Sequence, residues 1–447
     1  MAATGTLSWR ERATHARTFV FSGVSAEAVV LAAALPLLFI HARYQPTVHV
    51  NARSTSVAIQ LSDLAVLATL VAAVVAGVRH GFAVLWQAWA LWLAGAAYFV
   101  WIGIELLIPG GTAGYPTATH AVTAAKFLEY ALLAPAVVLI LRRRPDLQLV
   151  VTVLTAWSVL ATIVGLAQFF GANIFVSGAT GGRQLSFLGF EDFAALSTAG
   201  LLAGAIAVAL PHLGLDARVG WTGLVSGGIG VVLSAAIAAV IGIGLACAAL
   251  LAIAISRREV DVRRLAATGA VIGLAVLGTL GMRSTDLGRY LGLNHGTEST
   301  QVESYSQRGL LAWIGWQMFL DHPVAGVGWE ASGDPSRFLR YIPAAERRFA
   351  SQPPIAFPSP QHRWGVQNFY VQHLADLGGV GLLLLAAVFV TGIVLGLRRV
   401  GSDAALAGVL GVALILAVAG LWIGEGIVAG LPLSAMTWLG FGLAAGG

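Results

Sequence analysis

The feature that most constrains this fold is a succession of apolar runs of roughly 18 or more residues, the length a helix needs to cross a hydrocarbon core of about 30 Å. They fall near 22–41, 62–78, 83–108, 120–141, 148–170, 192–211, 221–238, 239–256, 265–282, 368–397, 404–424 and 427–445, which predicts about twelve spans. The run 220–256 is too long for one crossing and has no polar break, so the division is set near Ala238–Gly242. With 57% hydrophobic and 11% charged residues and a mean hydropathy of +0.82, a soluble domain is excluded and an all-α polytopic membrane protein is predicted. The single cysteine, Cys247, lies inside an apolar run, so an intramolecular disulfide is excluded and a packed helix residue is expected. The net charge of +5 comes from arginines at span ends, which argues against nucleic-acid binding.

Alternate connections differ in arginine content, and the positive-inside rule then orients the chain. Arg10, Arg12, Arg17, Arg79, Arg142, Arg143, Arg144, Arg218, Arg257, Arg258, Arg263, Arg264, Arg398 and Arg399 gather on one side, which is assigned to the cytoplasm with both termini. Short loops on the other side hold only Arg43, Arg53 and Arg183. The polar segment 282–366, between spans nine and ten, is therefore external despite its eight arginines, since long loops translocate regardless of charge. Three regions follow: 1–281 with spans one to nine behind an interfacial helix over 8–20, the external loop 282–366, and 367–447 with spans ten to twelve. Within the loop, Gln307–Leu320 has helical amphipathic spacing and is expected to lie on the membrane surface, ending at Asp321-His322-Pro323. The prolines that follow predict short pieces and a lid rather than an independent packed domain.

The order of features from Arg308 to Gly381 resembles the O-antigen ligase and O-antigen polymerase superfamily, related to the bacterial O-linked oligosaccharyltransferases. An arginine opens the amphipathic helix ending in Asp-His-Pro, Arg308 to Pro323. The segment Pro323-Val324-Ala325-Gly326-Val327-Gly328-Trp329 follows, then a variable loop. Gln367-Asn368-Phe369-Tyr370 leads into Ala375-Asp376-Leu377-Gly378 at the head of a span, and Gly182-Arg183 through Asp192-Phe193-Ala194 is similar to the family's segment entering its sixth span. The resemblance implies a C-type glycosyltransferase-like fold in the bacterial inner membrane. It also implies an inverting, metal-independent transfer of a polyprenyl-diphosphate-linked glycan to a lipid, glycan or protein hydroxyl outside that membrane. The expected partners are that donor, its acceptor and membrane lipids, with no cofactor and no metal. Two departures stand out: Gln367 occupies the place of the family's external histidine, and Ser234-Ala235-Ala236 replaces a Ser-Arg pair.

A diphosphate leaving group needs fixed positive charge where its own charge develops, and arginine supplies it through a planar fork of donors. Arg183 and Arg308 are the candidate diphosphate ligands, with Lys126, one helical turn from Glu129, as a third. Glutamine is no general base, so the candidates for taking the acceptor proton are His362, favoured for its place beside Arg363, and His373. Asp192, Gln367, Asn368 and Glu105 are supporting candidates, and Glu425 is a carboxylate able to orient arginines or deprotonate an acceptor. Anchoring arginines and capping carboxylates are the structural alternatives at these positions. The competing functions are a transporter or flippase for a lipid-linked glycan or anion, and a catalytically silent relative that binds the lipid carrier. Neither needs a base at Gln367.

Overall fold

The computed structural model describes residues 23–52, 55–109, 114–175, 182–257, 261–290, 304–426 and 432–446. The interfacial helix expected over 8–20 lies outside these residues. Among the described residues the chain is nearly all helix. Helix α1 (Ala26–Leu38) is capped by the Ser25 hydroxyl, and a hairpin of β1 (Thr47–Ala52) and β2 (Thr55–Gln60) follows, pairing Thr47 with Gln60. The membrane helices come next: α2 (Leu61–His80), α3 (Trp89–Leu107), α4 (Thr117–Ala131) and α5 (Leu133–Ile140), α6 (Arg144–Phe169), α7 (Phe190–Ala209), α8 (Ala217–Ser234), α9 (Ile237–Arg257) and α10 (Val262–Met282). The polar segment holds α11 (Ser284–Tyr290), α12 (Ser304–Asp321), α13 (Pro335–Phe338) and α14 (Ile342–Arg348), and the chain ends with α15 (Phe369–Arg399), α16 (Ala405–Leu421) and α17 (Pro432–Ala445).

Nine helices among the described residues are long and apolar enough to cross a membrane. The other three expected spans coincide with α1, α8 and α17, of which α1 and α17 are only 13 and 14 residues long. The hairpin was not anticipated, because Thr47–Gln60 mixes polar and β-branched residues in a stretch read as a connection.

The core is built on α7, which is enclosed along nearly its whole length. Its closest neighbour is α8, and glycine is what lets them meet. A Cβ at Gly204 would fall 2.2 Å from the Leu224 nitrogen, and one at Gly227 would fall 2.4 Å from the Leu201 nitrogen. In lipid, where apolar burial gives helices little reason to associate, such backbone approach supplies the packing.

The division of the 220–256 run falls three or more residues earlier than expected, at Ala235, which adopts a left-handed conformation (φ 49°). The reason is tertiary. The carbonyls left free at the end of α8 are taken by the loop before α7: the Gln184 amide donates to Leu233 O at 2.9 Å, and Arg183 Nε donates to Ser234 O at 3.0 Å.

The polar segment holds together better than its prolines suggest. Leu310, Leu311, Ile314 and Met318 of α12 pack on Phe338, Tyr341 and Phe357, and Tyr115 and Ala375 close this cluster from the membrane part of the chain. It docks where α15 is broken at Gly378 (φ 66°, ψ −168°). The amides of Val327 and Gly328 donate to the carbonyls of Ala375 and Asp376 at 2.8 and 3.0 Å, and the Gly379 amide donates to Pro323 O at 2.8 Å. Trp329, fully buried, donates its indole N–H to Thr123 Oγ1 at 3.1 Å.

Candidate active site

Three elements distant in sequence converge at the end of α7 where its chain enters. The loop before α7 is shaped from inside by Gln168, near the end of α6. Its amide donates to the carbonyls of Ile174 and Ser186 at 2.8 and 3.0 Å, and its carbonyl accepts from the Ser186 amide at 2.8 Å. This anchoring brings Arg183 against the end of α8 and over the ring of Phe190, with 4.0 Å from its guanidinium carbon to the ring centroid. From the first turn of α7, Glu191 extends a carboxylate whose Oε1 is shared by two arginines: Arg183 Nη2 at 3.4 Å and Arg308 Nη2, from the first turns of α12, at 3.1 Å. Arg308 Nε donates to Gln367 Oε1 at 3.2 Å.

More charge surrounds this bridge. Arg283, buried at the end of α10, is within electrostatic reach of Arg183 and is itself held by Asp286 at 2.8 Å and the Tyr305 hydroxyl at 3.1 Å. Asp192 is buried next to Glu191, and its Oδ1 has no hydrogen-bond partner among the described residues. Glu425, just past α16, feels Glu191, Asp192, Arg183 and Arg308. Burial raises the Glu425 carboxyl to about 8, the negative charge of Glu191 adds to the rise, and Arg308 opposes it. Burial also pulls Arg183 below the usual arginine value, against the pull of Glu191. Three guanidinium groups and four carboxyl groups thus share one region, which is unusual at the margin of a membrane bundle. A diphosphate arriving there would find donors already oriented by a carboxylate that it can replace.

The remaining predicted residues are elsewhere. Lys126 pairs with Asp63 of α2, at 2.9 Å, rather than with Glu129 or the arginines. Glu105 is buried beneath the polar segment, where its backbone carbonyl accepts from the Trp329 amide at 3.2 Å. Asn368 caps α15, accepting from the Val371 amide at 3.0 Å, and its own amide donates to Ile423 O at 3.0 Å. His362 is exposed on the loop and stacks on Trp364, with ring centroids 6.3 Å apart. His373 is completely buried: its Nδ1 donates to Phe369 O at 2.7 Å, and the Tyr98 hydroxyl occupies Nε2. Its second ring nitrogen is thus engaged by Tyr98 inside the helix core. Trp329 and Tyr341 are buried as well.

Two participants were undervalued in the sequence. Glu191 reads as an ordinary first-turn carboxylate, and only its neighbour Phe190-Glu191-Asp192 pattern, two acids in a row at a span entrance, signals more. Arg283 is one arginine of eight in a polar stretch, and nothing local separates it from the rest.

No curated protein matches the chain. The O-antigen ligase family model matches residues 222–386, which takes in Ser234, Arg283, Arg308 and Gln367 and leaves Arg183, Glu191 and Glu425 outside. Over that segment, which runs from within α8 to the broken helix α15, the chain is similar to the O-antigen ligase family.

Proposed function

We propose that the protein is an inverting glycosyltransferase of the O-antigen ligase and polymerase type, transferring a glycan from a polyprenyl diphosphate to an acceptor hydroxyl at the outer face of the cytoplasmic membrane. The observation that supports this most is the meeting of Arg183 and Arg308 on one oxygen of Glu191. In this reading the donor diphosphate takes the place of Glu191 on both guanidinium forks, with Arg283 adding charge behind them. The acceptor oxygen attacks the anomeric carbon from the face opposite the diphosphate. The bond from that carbon to the phosphate oxygen breaks, and polyprenyl diphosphate leaves with the bonding pair. The acceptor proton passes to a base, and Glu425 fits that role better than His362 or His373. Its carboxyl titrates at about 8, within electrostatic reach of both arginines, so it exchanges protons near neutral pH. Lys126, held by Asp63, is left to position α2 against α4.

The test uses the purified full-length protein in nanodiscs with a labelled polyprenyl-diphosphate glycan and a panel of lipid, glycan and protein acceptors. Release of free polyprenyl diphosphate dependent on acceptor supports the reading. Movement of the intact lipid-linked glycan across the bilayer without release would replace it with a flippase.

A further inference from the structure

At the opposite end of the bundle from Arg183, a cavity of about 710 Å³ opens between α5, α6, α9, α16 and α17. Arg142, Arg143, Arg144 and Arg257 stand around it with His212, against a single acid, Asp403. These residues come from four separate connections, so their convergence is a product of the tertiary fold. The positive-inside rule accounts for arginines on this face, but it accounts neither for a recess nor for the way these four are held.

None of the four is paired with a carboxylate among the described residues; Arg142, Arg144 and Arg257 are oriented by neutral backbone. Arg142 donates from Nη1 to His80 O at 3.1 Å and from Nη2 to Gly81 O at 2.5 Å. Arg144 Nη2 donates to Leu213 O and Arg257 Nη2 to Val400 O. A Cβ at Gly214 would collide with the Arg144 guanidinium, so that turn is shaped around it. The Arg143 side chain makes no hydrogen bond among the described residues and is exposed at the rim. Carbonyls orient a guanidinium without neutralising it, so the cavity keeps most of its positive charge. Its floor is apolar, formed by Leu141, Leu147, Leu406 and Leu443.

We propose that this cavity binds a phosphate group, presented by the headgroup of an anionic phospholipid whose acyl chains rest on the leucine floor. Arginine forks match phosphate oxygens, and the charge attracts the anionic leaflet that the orientation predicts on this face. The site is separate from the Arg183–Arg308 cluster and stands or falls independently of the transfer reaction.

The experiment places the full-length protein in phosphatidylcholine nanodiscs and titrates it with dihexanoyl phosphatidylglycerol, with inorganic phosphate and with dihexanoyl phosphatidylcholine, reading bound fraction by native mass spectrometry. Saturable phosphatidylglycerol binding is expected, weakened roughly tenfold in the double variant R143Q/R257Q. Arg398→Gln, which removes a charge from the same face outside the cavity, should change it by less than about twofold. Arg143→Glu serves as the folding-neutral variant and should weaken binding at least as much as a neutral replacement there. If inorganic phosphate binds as tightly and with the same sensitivity, the phosphate site stands and its source is the free ion. Absence of saturable binding by either phosphate probe, or equal losses in R398Q and R143Q/R257Q, would overturn the proposal.

Discussion

Replacing Arg308 by alanine removes the more accessible of the two guanidinium groups on Glu191, with 25% of its side chain exposed against 10% for Arg183. Its fork makes two contacts in the resting protein, to Glu191 at 3.1 Å and to Gln367 at 3.2 Å, and the same two donors would face the diphosphate. Hydrogen bonds to charged partners are worth about 1.5–3 kcal/mol each. Solvent recovers part of that at a partly exposed side chain, which leaves about 3 kcal/mol, or roughly two orders of magnitude in kcat/KM. Folding should suffer less. Glu191 keeps Arg183, so a destabilisation of only about 1 kcal/mol is expected. Arg308→Lys retains the charge and loses the planar fork, so it should fall in between, roughly tenfold below the parent. Arg340→Ala is the comparison: that arginine pairs with Asp321 at 3.4 Å and is half-exposed on the polar segment. The assay is acceptor-dependent release of polyprenyl diphosphate, with thermal unfolding of each variant in parallel. A loss below about threefold for Arg308→Ala, a lysine variant equal to the parent, or equal losses for Arg308→Ala and Arg340→Ala would each refute a localised diphosphate grip.

The parent's kcat is expected to rise as pH increases through about 8, and Glu425→Gln should abolish that rise; a variant with an unchanged pH profile moves the base elsewhere. The same carboxyl gives a stability signature. Its folded value lies above the ordinary 4.5, so the folded state holds the proton more tightly. The associated stability is fully present below about pH 4.5 and is lost as pH rises towards 8, and the glutamine variant should flatten that part of the profile in thermal unfolding. Gly378→Ala should destabilise by more than about 2 kcal/mol, because a positive φ disfavours a side chain there. Its Cβ would meet Val324 O at 2.2 Å, so limited proteolysis within residues 323–366 should accelerate, and unchanged protection would show that the docking does not depend on the break. His373→Ala should lower the unfolding temperature and leave turnover per folded molecule within about threefold of the parent; a well-folded but inactive variant would return the histidine to catalysis.

The helices were legible because lipid imposes one requirement on every span, and the apolar runs answer it residue by residue. Their ends were less so. Ala235 ends α8 because a loop 50 residues earlier in the chain supplies donors to its last carbonyls, and no local pattern of alanines announces that. The candidate site divides the same way. Arg183 and Arg308 were recognisable from the residues around them, whereas His373 was read as a reachable base when it sits wholly inside the helix core. Periodicity places a histidine near the start of a helix and is silent on which face the bundle closes over. Lys126 shows the same gap: its nearest acid in sequence is Glu129, but the partner that comes within 2.9 Å is Asp63, on another helix.

By itself, the sequence determined that the chain is a helical membrane protein, since that follows from hydropathy summed along the chain. Which groups act together was decided only by tertiary structure. Glu191 joins its neighbour Arg183 to Arg308, which lies 117 residues beyond Glu191 in sequence, and two connections bring their arginines around one recess on the other face. The physical reason is that charge interactions depend on distance through space and on the burial that sharpens them, and neither quantity exists until the helices have packed.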